Sequence, residues 1–154
     1  MRVVALDVGD RRIGVAVSDA TLTLARPVGV LQPTSLETDA LQLAAAEITR
    51  LATEEDGVST IVVGLPRRLD GSVTDMTARV STFAAELGSV TRLPIVLQDE
   101  RLTSREAESR LAATDKDWRS RKRRLDAAAA AIILQDYLDT RPSRPVPPAT
   151  EPEI

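Results

Sequence analysis

Apolar positions fall in short runs at the front of the chain and at helical spacing further along. RVVALDV (2–8), RIGVAVSD (12–19) and about LTLARPVGVL (22–31) read as three consecutive strands. The turn between the first two holds Gly9 and charged residues, a hairpin signal. Leu41, Ala44, Ile48 and Leu51 then recur one helical turn apart, giving an apolar face. Thr34-Ser35-Leu36-Glu37 ahead of them has the form of a capping box and predicts the helix start there.

Strands and helices alternate from this point. TIVVG (60–64) is a continuous apolar run, as expected of a strand buried on both faces. LPRRLDG (65–71) reads as a loop. A helix from Ser72 follows, with Met76, Val80, Phe83 and Leu87 as its stripe. LPIVLQ (93–98) reads as another strand. Thr103 and Glu106 form a second capping box, opening a helix through about Leu111, and a last helix runs to about Leu138. The order β-β-β-α-β-α-β-α-α predicts a five-stranded mixed sheet flanked by helices, an α/β order compatible with a ribonuclease-H-like architecture. Residues 1–139 form one expected domain. The segment 140–154, with five of the nine prolines, is an expected disordered tail.

Composition narrows the chemistry. The 154 residues include three aromatics, so the core must be aliphatic and stacking platforms for single-stranded bases are almost absent. The absence of His and Cys removes thiol nucleophiles, Ser-His-Asp triads and zinc sites. What remains is carboxylates, Lys and Arg, hydroxyls, or a hard metal held by oxygen. No signal peptide or apolar 18-residue stretch is visible, so a cytoplasmic protein with no membrane partner is expected. The net charge is −3, yet KDWRSRKRR (116–124) carries six basic residues and one acid. That run is either a solvated face or a nucleic-acid contact.

Three acids stand in unusual contexts. Asp7 ends an apolar strand and by alternation shares a face with Val3 and Ala5. Glu100 lies just beyond LPIVLQ, where ligand sites gather in open α/β sheets. Taken singly, the first is a turn aspartate and the second a loop acid beside Arg101. Asp126 is more telling. Helical steps from it meet Ala130, Ile133, Leu134 and Tyr137, an apolar stripe that must face the sheet, whereas Asp136 and Asp139 do not share this placement. Three inward acids converging at one sheet edge repel one another unless a cation neutralises them. With no His or Cys, that cation is Mg²⁺ or Mn²⁺, and a pair of such ions suits phosphodiester displacement. Arg11, Arg12, Arg67, Arg68, Arg101, Arg121, Lys122, Arg123 and Arg124 surround the acids in sequence and are candidate nucleic-acid contacts.

The blocks DVGDRRIGVAVSD, VGLPRRLDGS with its downstream FAAEL, DERLTSREAE and LDAAAAAIILQDYLD, in that order across residues 4 to 139, resemble the YqgF/RuvX family. Its members are described as Holliday-junction-resolvase-like proteins and pre-16S rRNA nucleases. The resemblance implies an RNase-H-like fold and metal-dependent phosphodiester hydrolysis that leaves a 5′-phosphate and a 3′-hydroxyl. Its acidic positions fall on Asp7, Glu100 and Asp126. The family often has Lys at the position of Arg11. The implied function is a nuclease maturing the 5′ end of pre-16S rRNA. Two alternatives are a resolvase of branched DNA and a non-catalytic nucleic-acid-binding factor in transcription or ribosome assembly. RNA trimming suits a monomer or a homodimer, while a four-way junction needs two active sites. An ATP-binding protein of the actin or sugar-kinase type also begins with an acid, a Gly turn and a hairpin. It generally needs two such lobes, and its turn offers hydroxyls to phosphate where this chain has Asp10.

Overall fold

The computed structural model describes residues 1–68, 70–99, 112–113 and 127–141. Five strands form one sheet: β1 (Arg2–Val8), β2 (Ile13–Ser18), β3 (Ala25–Leu31), β4 (Val58–Leu65) and β5 (Ile95–Asp99). Their order across the sheet is β3-β2-β1-β4-β5. The first three pair antiparallel, and β1, β4 and β5 run parallel. The expected five-stranded mixed sheet is therefore present. The helices α1 (Ala40–Ala52), α2 (Asp75–Thr91) and α3 (Ala128–Thr140) accompany it. The helix expected from Thr103 to Leu111 and the basic run lie outside the described residues, as does the tail from 142 onward.

Strand alternation sorts the core into two layers. Val4, Leu6, Val8, Ile13, Val15, Val17, Ile61, Val63 and Leu65 point to α1 and α2, meeting Ile48, Leu51, Val80, Phe83 and Leu87. Val3, Ala5, Ala16, Ala25 and Val62 point to α3, meeting Ala130, Ala131, Ile133, Leu134 and Leu138. Small side chains dominate the second layer, so α3 lies close to the sheet. Ala is also the best helix former, so one residue choice serves both ends. In the first layer, the same economy appears at Gly88 of α2, where an added Cβ would come within 2.9 Å of Ile95 Cγ1.

Element boundaries differ from the sequence expectation in three places, each for a local reason. The first helix begins at Ala40, not near Thr34. The Glu37 carboxylate does not fold back to a cap, because Arg79 of α2 takes both its oxygens at 2.7 Å. Thr34 N–H instead donates to Asp39 Oδ1 at 2.7 Å, and residues 36–39 remain a turn. The third strand begins at Ala25 and not Leu22. Asp19 gathers residues 21–24 into a loop, accepting from Thr23 N–H at 2.8 Å, Leu24 N–H at 3.3 Å and Thr21 Oγ1 at 3.0 Å. The second helix starts at Asp75. Ser72 N–H is taken by Asp70 Oδ1, and Thr74 and Thr77 form a reciprocal capping box. Val80, Phe83 and Leu87 of its stripe are buried and Met76 is half-buried, as expected.

Candidate active site

Asp7 lies on the α3 side of the sheet, near the carboxyl end of β1. Its antiparallel partner is Gly14, which in turn pairs with Val30 of β3. On the other side, Leu6 pairs with Val63 of β4, and the next residue of β4, Gly64, pairs with Gln98 of β5. The half-buried carboxylate thus stands beside a glycine on β2. A glycine inside a strand marks close approach of another element, and Gly14 shows which one. A Cβ added there would lie 3.5 Å from Ala130 Cβ, 3.6 Å from the Ala127 Cα and 3.6 Å from Asp7 Cβ. The start of α3 and Asp7 therefore share one small space. A cleft of about 210 Å³ opens beside it, lined by Asp7, Val8, Gly9, Arg12, Gly14 and Val30.

The candidate arginines divide. Arg11 and Arg12 belong to the turn that follows Asp7. Arg67 and Arg68 follow the carboxyl end of β4. All four are exposed, and both turns lie at the sheet edge to which the carboxyl ends of β1 and β4 run. The second loop is ordered by its own hydrogen bonds. Arg68 N–H donates to Ser72 O at 3.1 Å and Gly71 N–H to Arg68 O at 2.8 Å. Gly71 has φ +90°, a conformation suited to glycine. Thr77 Oγ1 donates to Pro66 O, which fastens the loop to α2. Glu100, Arg101, Arg121, Lys122, Arg123, Arg124 and Asp126 lie outside the described residues. Their covalent neighbours do not: Asp99 ends β5, and Ala127, with no exposed surface, precedes α3. Among the described residues no group of three or more His, Cys, Asp or Glu side chains could hold a metal.

On α3, Ala130, Ile133 and Leu134 of the expected inward stripe are buried and Tyr137 is half-buried. Asp136 corrects the expectation that it lacks an inward placement, since it is only 7% exposed. Gln98 of β5 supplies the reason, donating from Nε2 to Asp136 Oδ2 at 2.6 Å. The adjacent Gln135 faces the other edge strand, accepting from Ala25 N–H at 2.9 Å and donating to Thr23 O at 3.0 Å. Two consecutive polar residues thus tie α3 to β5 and to β3.

Sequence reading missed a second constellation. Arg79 of α2 donates from its guanidinium to Asp10 Oδ1 at 2.5 Å as well as to both oxygens of Glu37. Asp10 also accepts from Leu36 N–H at 3.2 Å. The hydrogen bond from Arg79, then that from Leu36, hold the Asp10 carboxyl below the usual carboxylate range. Arg79 lowers Glu37 likewise and is itself raised, first by Glu37 and then by Asp10. Asp10 and Arg79 are 69 residues apart, so no local pattern could have joined them.

The family model for RuvX, described as a Holliday junction resolvase, matches residues 1–140. This chain belongs to the RuvX family. Among its relatives is a protein of Chloroflexus aurantiacus, 43% identical over 143 residues, spanning 93% of this chain and 90% of that one. Another, from Anaeromyxobacter, is 43% identical over 141 residues, spanning 92% and 98%. Both carry the name "Putative pre-16S rRNA nuclease". Among solved structures, Thermus thermophilus RuvC in complex with a Holliday junction substrate superposes with a TM-score of 0.54 at 13% identity, covering 92% of this chain and 95% of RuvC. That likeness shows the RNase-H-like fold of this RuvX-family chain, as the strand order and flanking helices had indicated.

Proposed function

We propose that this chain is a nuclease that hydrolyses phosphodiester bonds, that Asp7, Glu100 and Asp126 are its catalytic carboxylates, and that its substrate is precursor 16S rRNA. The observation that carries the reading is the setting of Asp7. A half-buried carboxylate beside Gly14, next to the start of α3 and lining a cleft, has room for a ligand. Asp99 and Ala127 bring the chain to Glu100 and Asp126 from β5 and α3, the two elements that Gln98 and Asp136 join. The substrate reading rests on the names of the relatives.

The donor set fits a hard divalent cation. The candidates are all carboxylate oxygens, and the chain has no His or Cys to favour a softer metal. Asp7, Glu100 and Asp126 would hold Mg²⁺ or Mn²⁺, as two ions. When bound, the metal supplies Lewis acidity and charge neutralisation at the scissile phosphate. The protein's own part is to hold and orient. Arg11 and Arg12 grip phosphate next to Asp7, and the ordered loop of Arg67 and Arg68 extends the grip along the strand. The wall of glycine and alanine leaves the backbone of a substrate space to approach. The family description makes a four-way DNA junction the second substrate to test.

The test is cleavage of labelled precursor RNA and of junction DNA, each with Mg²⁺, Mn²⁺ or EDTA, by wild type and Asp7→Asn. We expect metal-dependent cleavage, stronger on RNA, and a loss of at least about a hundredfold in the variant. Equal cleavage by Asp7→Asn would remove Asp7 from the catalytic set. Metal-independent, salt-sensitive binding without cleavage would make the chain a binding factor.

A further inference from the structure

We propose that Arg79 is a positioning residue that, through Asp10, holds the arginine-bearing turn after β1 in its substrate-gripping form. The inference rests on the nuclease reading for its purpose but not for its geometry. The turn is a minimal one. Val8 pairs with Ile13, and Gly9 N–H donates to Arg12 O at 2.8 Å, which leaves Asp10 and Arg11 at the tip. A tip of two residues at a sheet edge has few contacts of its own. Here one of the two is captured. Asp10 receives Arg79 and Leu36 N–H from the α1/α2 side, while Asp7 occupies the opposite side of the sheet. Arg79 is in turn held by the two oxygens of Glu37, so its planar fork has one orientation. Helix α2, the α1 entry and the tip thus meet at one guanidinium.

The chemical consequence concerns Arg11. A flexible arginine that grips phosphate must lose rotamer and backbone freedom on binding. Fixing Asp10 removes much of the backbone freedom of its neighbour beforehand. The clamp therefore acts on substrate affinity, not on the reacting bond. Arg79 is engaged by Asp10 and Glu37, both acids that would repel a phosphate placed on them.

The experiment compares wild type, Arg79→Ala, Arg79→Lys, Asp10→Ala and the double variant Arg79→Ala/Asp10→Ala on labelled RNA. Removing the clamp is expected to raise KM about threefold to tenfold, with kcat held within about twofold. Arg79→Lys recovers part of the loss, and the double variant is no worse than Arg79→Ala alone, since both changes break one device. Hydrogen exchange of the peptide covering residues 8–13 gives a readout without turnover, expected to quicken at least about threefold in Arg79→Ala and Asp10→Ala. Asp10→Ala removes the oxygen that accepts from Arg79 and Leu36 N–H at an exposed turn position, so it tests the clamp even if Arg79→Ala unfolds. Unchanged exchange in both single variants overturns the proposal, as does a fall in kcat with KM unchanged. An inactive wild type whose turn still loosens without Arg79 overturns the nuclease reading and leaves the clamp standing.

Discussion

Gly14 shows how one missing side chain shapes the site. The Cβ positions it omits lie 3.5–3.6 Å from Ala130, Ala127 and Asp7, ordinary contact distances. A single methyl therefore fits, and its only cost is the room it takes beside Asp7. Two further methyls would not fit, since α3 and Asp7 close the space on both sides. We expect Gly14→Ala to unfold in urea at nearly the wild-type midpoint while cleaving RNA more slowly. Gly14→Val is expected to lose about 1–3 kcal/mol through overpacking. A Gly14→Val protein as stable as wild type would show that α3 does not close on β2 as tightly as the distances indicate. Ser18, at the far end of the same strand, is the contrasting case. It is fully buried, and its Oγ accepts Val3 N–H at 2.8 Å, which makes it a tie within the sheet. Asp19 beside it shapes the next loop. Of the long opening motif, Asp7 alone among the acids turns toward α3 and the cleft.

At the scale of elements, α3 is held by two polar residues as much as by its alanines. Gln135 is 2% exposed and bridges Ala25 N–H and Thr23 O. Gln135→Ala would leave a buried N–H without its partner, at a cost of about 1–3 kcal/mol. Chemical denaturation should show that loss, and hydrogen exchange should place the new opening at residues 23–25. Loss of stability with those amides still protected would mean that β3 does not depend on the helix. The same pair of elements explains what could be read from sequence. Periodicity located all five strands and the inward stripe of α3, because burial on one face imposes it directly. Asp136 and Gln135 escaped, because a buried polar residue is recognisable only by a partner elsewhere in the chain. Capping signals misplaced α1 for a related reason. Glu37 had a cap to serve locally and a guanidinium to serve at a distance, and the charged partner won. Asp7 was legible as an acid ending an apolar strand; Gly14 became meaningful only when the register placed it beside Asp7.

The whole molecule combines a negative net charge with a local positive edge. Its formal charge is −3, yet Arg11, Arg12, Arg67 and Arg68 are exposed on the two turns that flank the carboxyl ends of β1 and β4. Far-field attraction to nucleic acid is then weak, and among the described residues these four arginines are the candidates for the contacts that supply affinity. Each arginine that neutralises a phosphate releases a counterion, so the dependence of log K on log salt counts such contacts. Arg67→Ala and Arg68→Ala are each expected to lower the magnitude of the slope for single-stranded RNA by about 0.7. Arg26 provides the control. It is exposed on edge strand β3, paired with Val17 near the end of β2 that lies away from Asp7. Arg26→Ala should leave the slope as it is. Equal slope changes at Arg26 and Arg67 would mean that RNA is held by diffuse charge over the surface. A change confined to the loop after β4 would mean that the strand crosses the sheet edge above Asp7, within reach of the carboxylate.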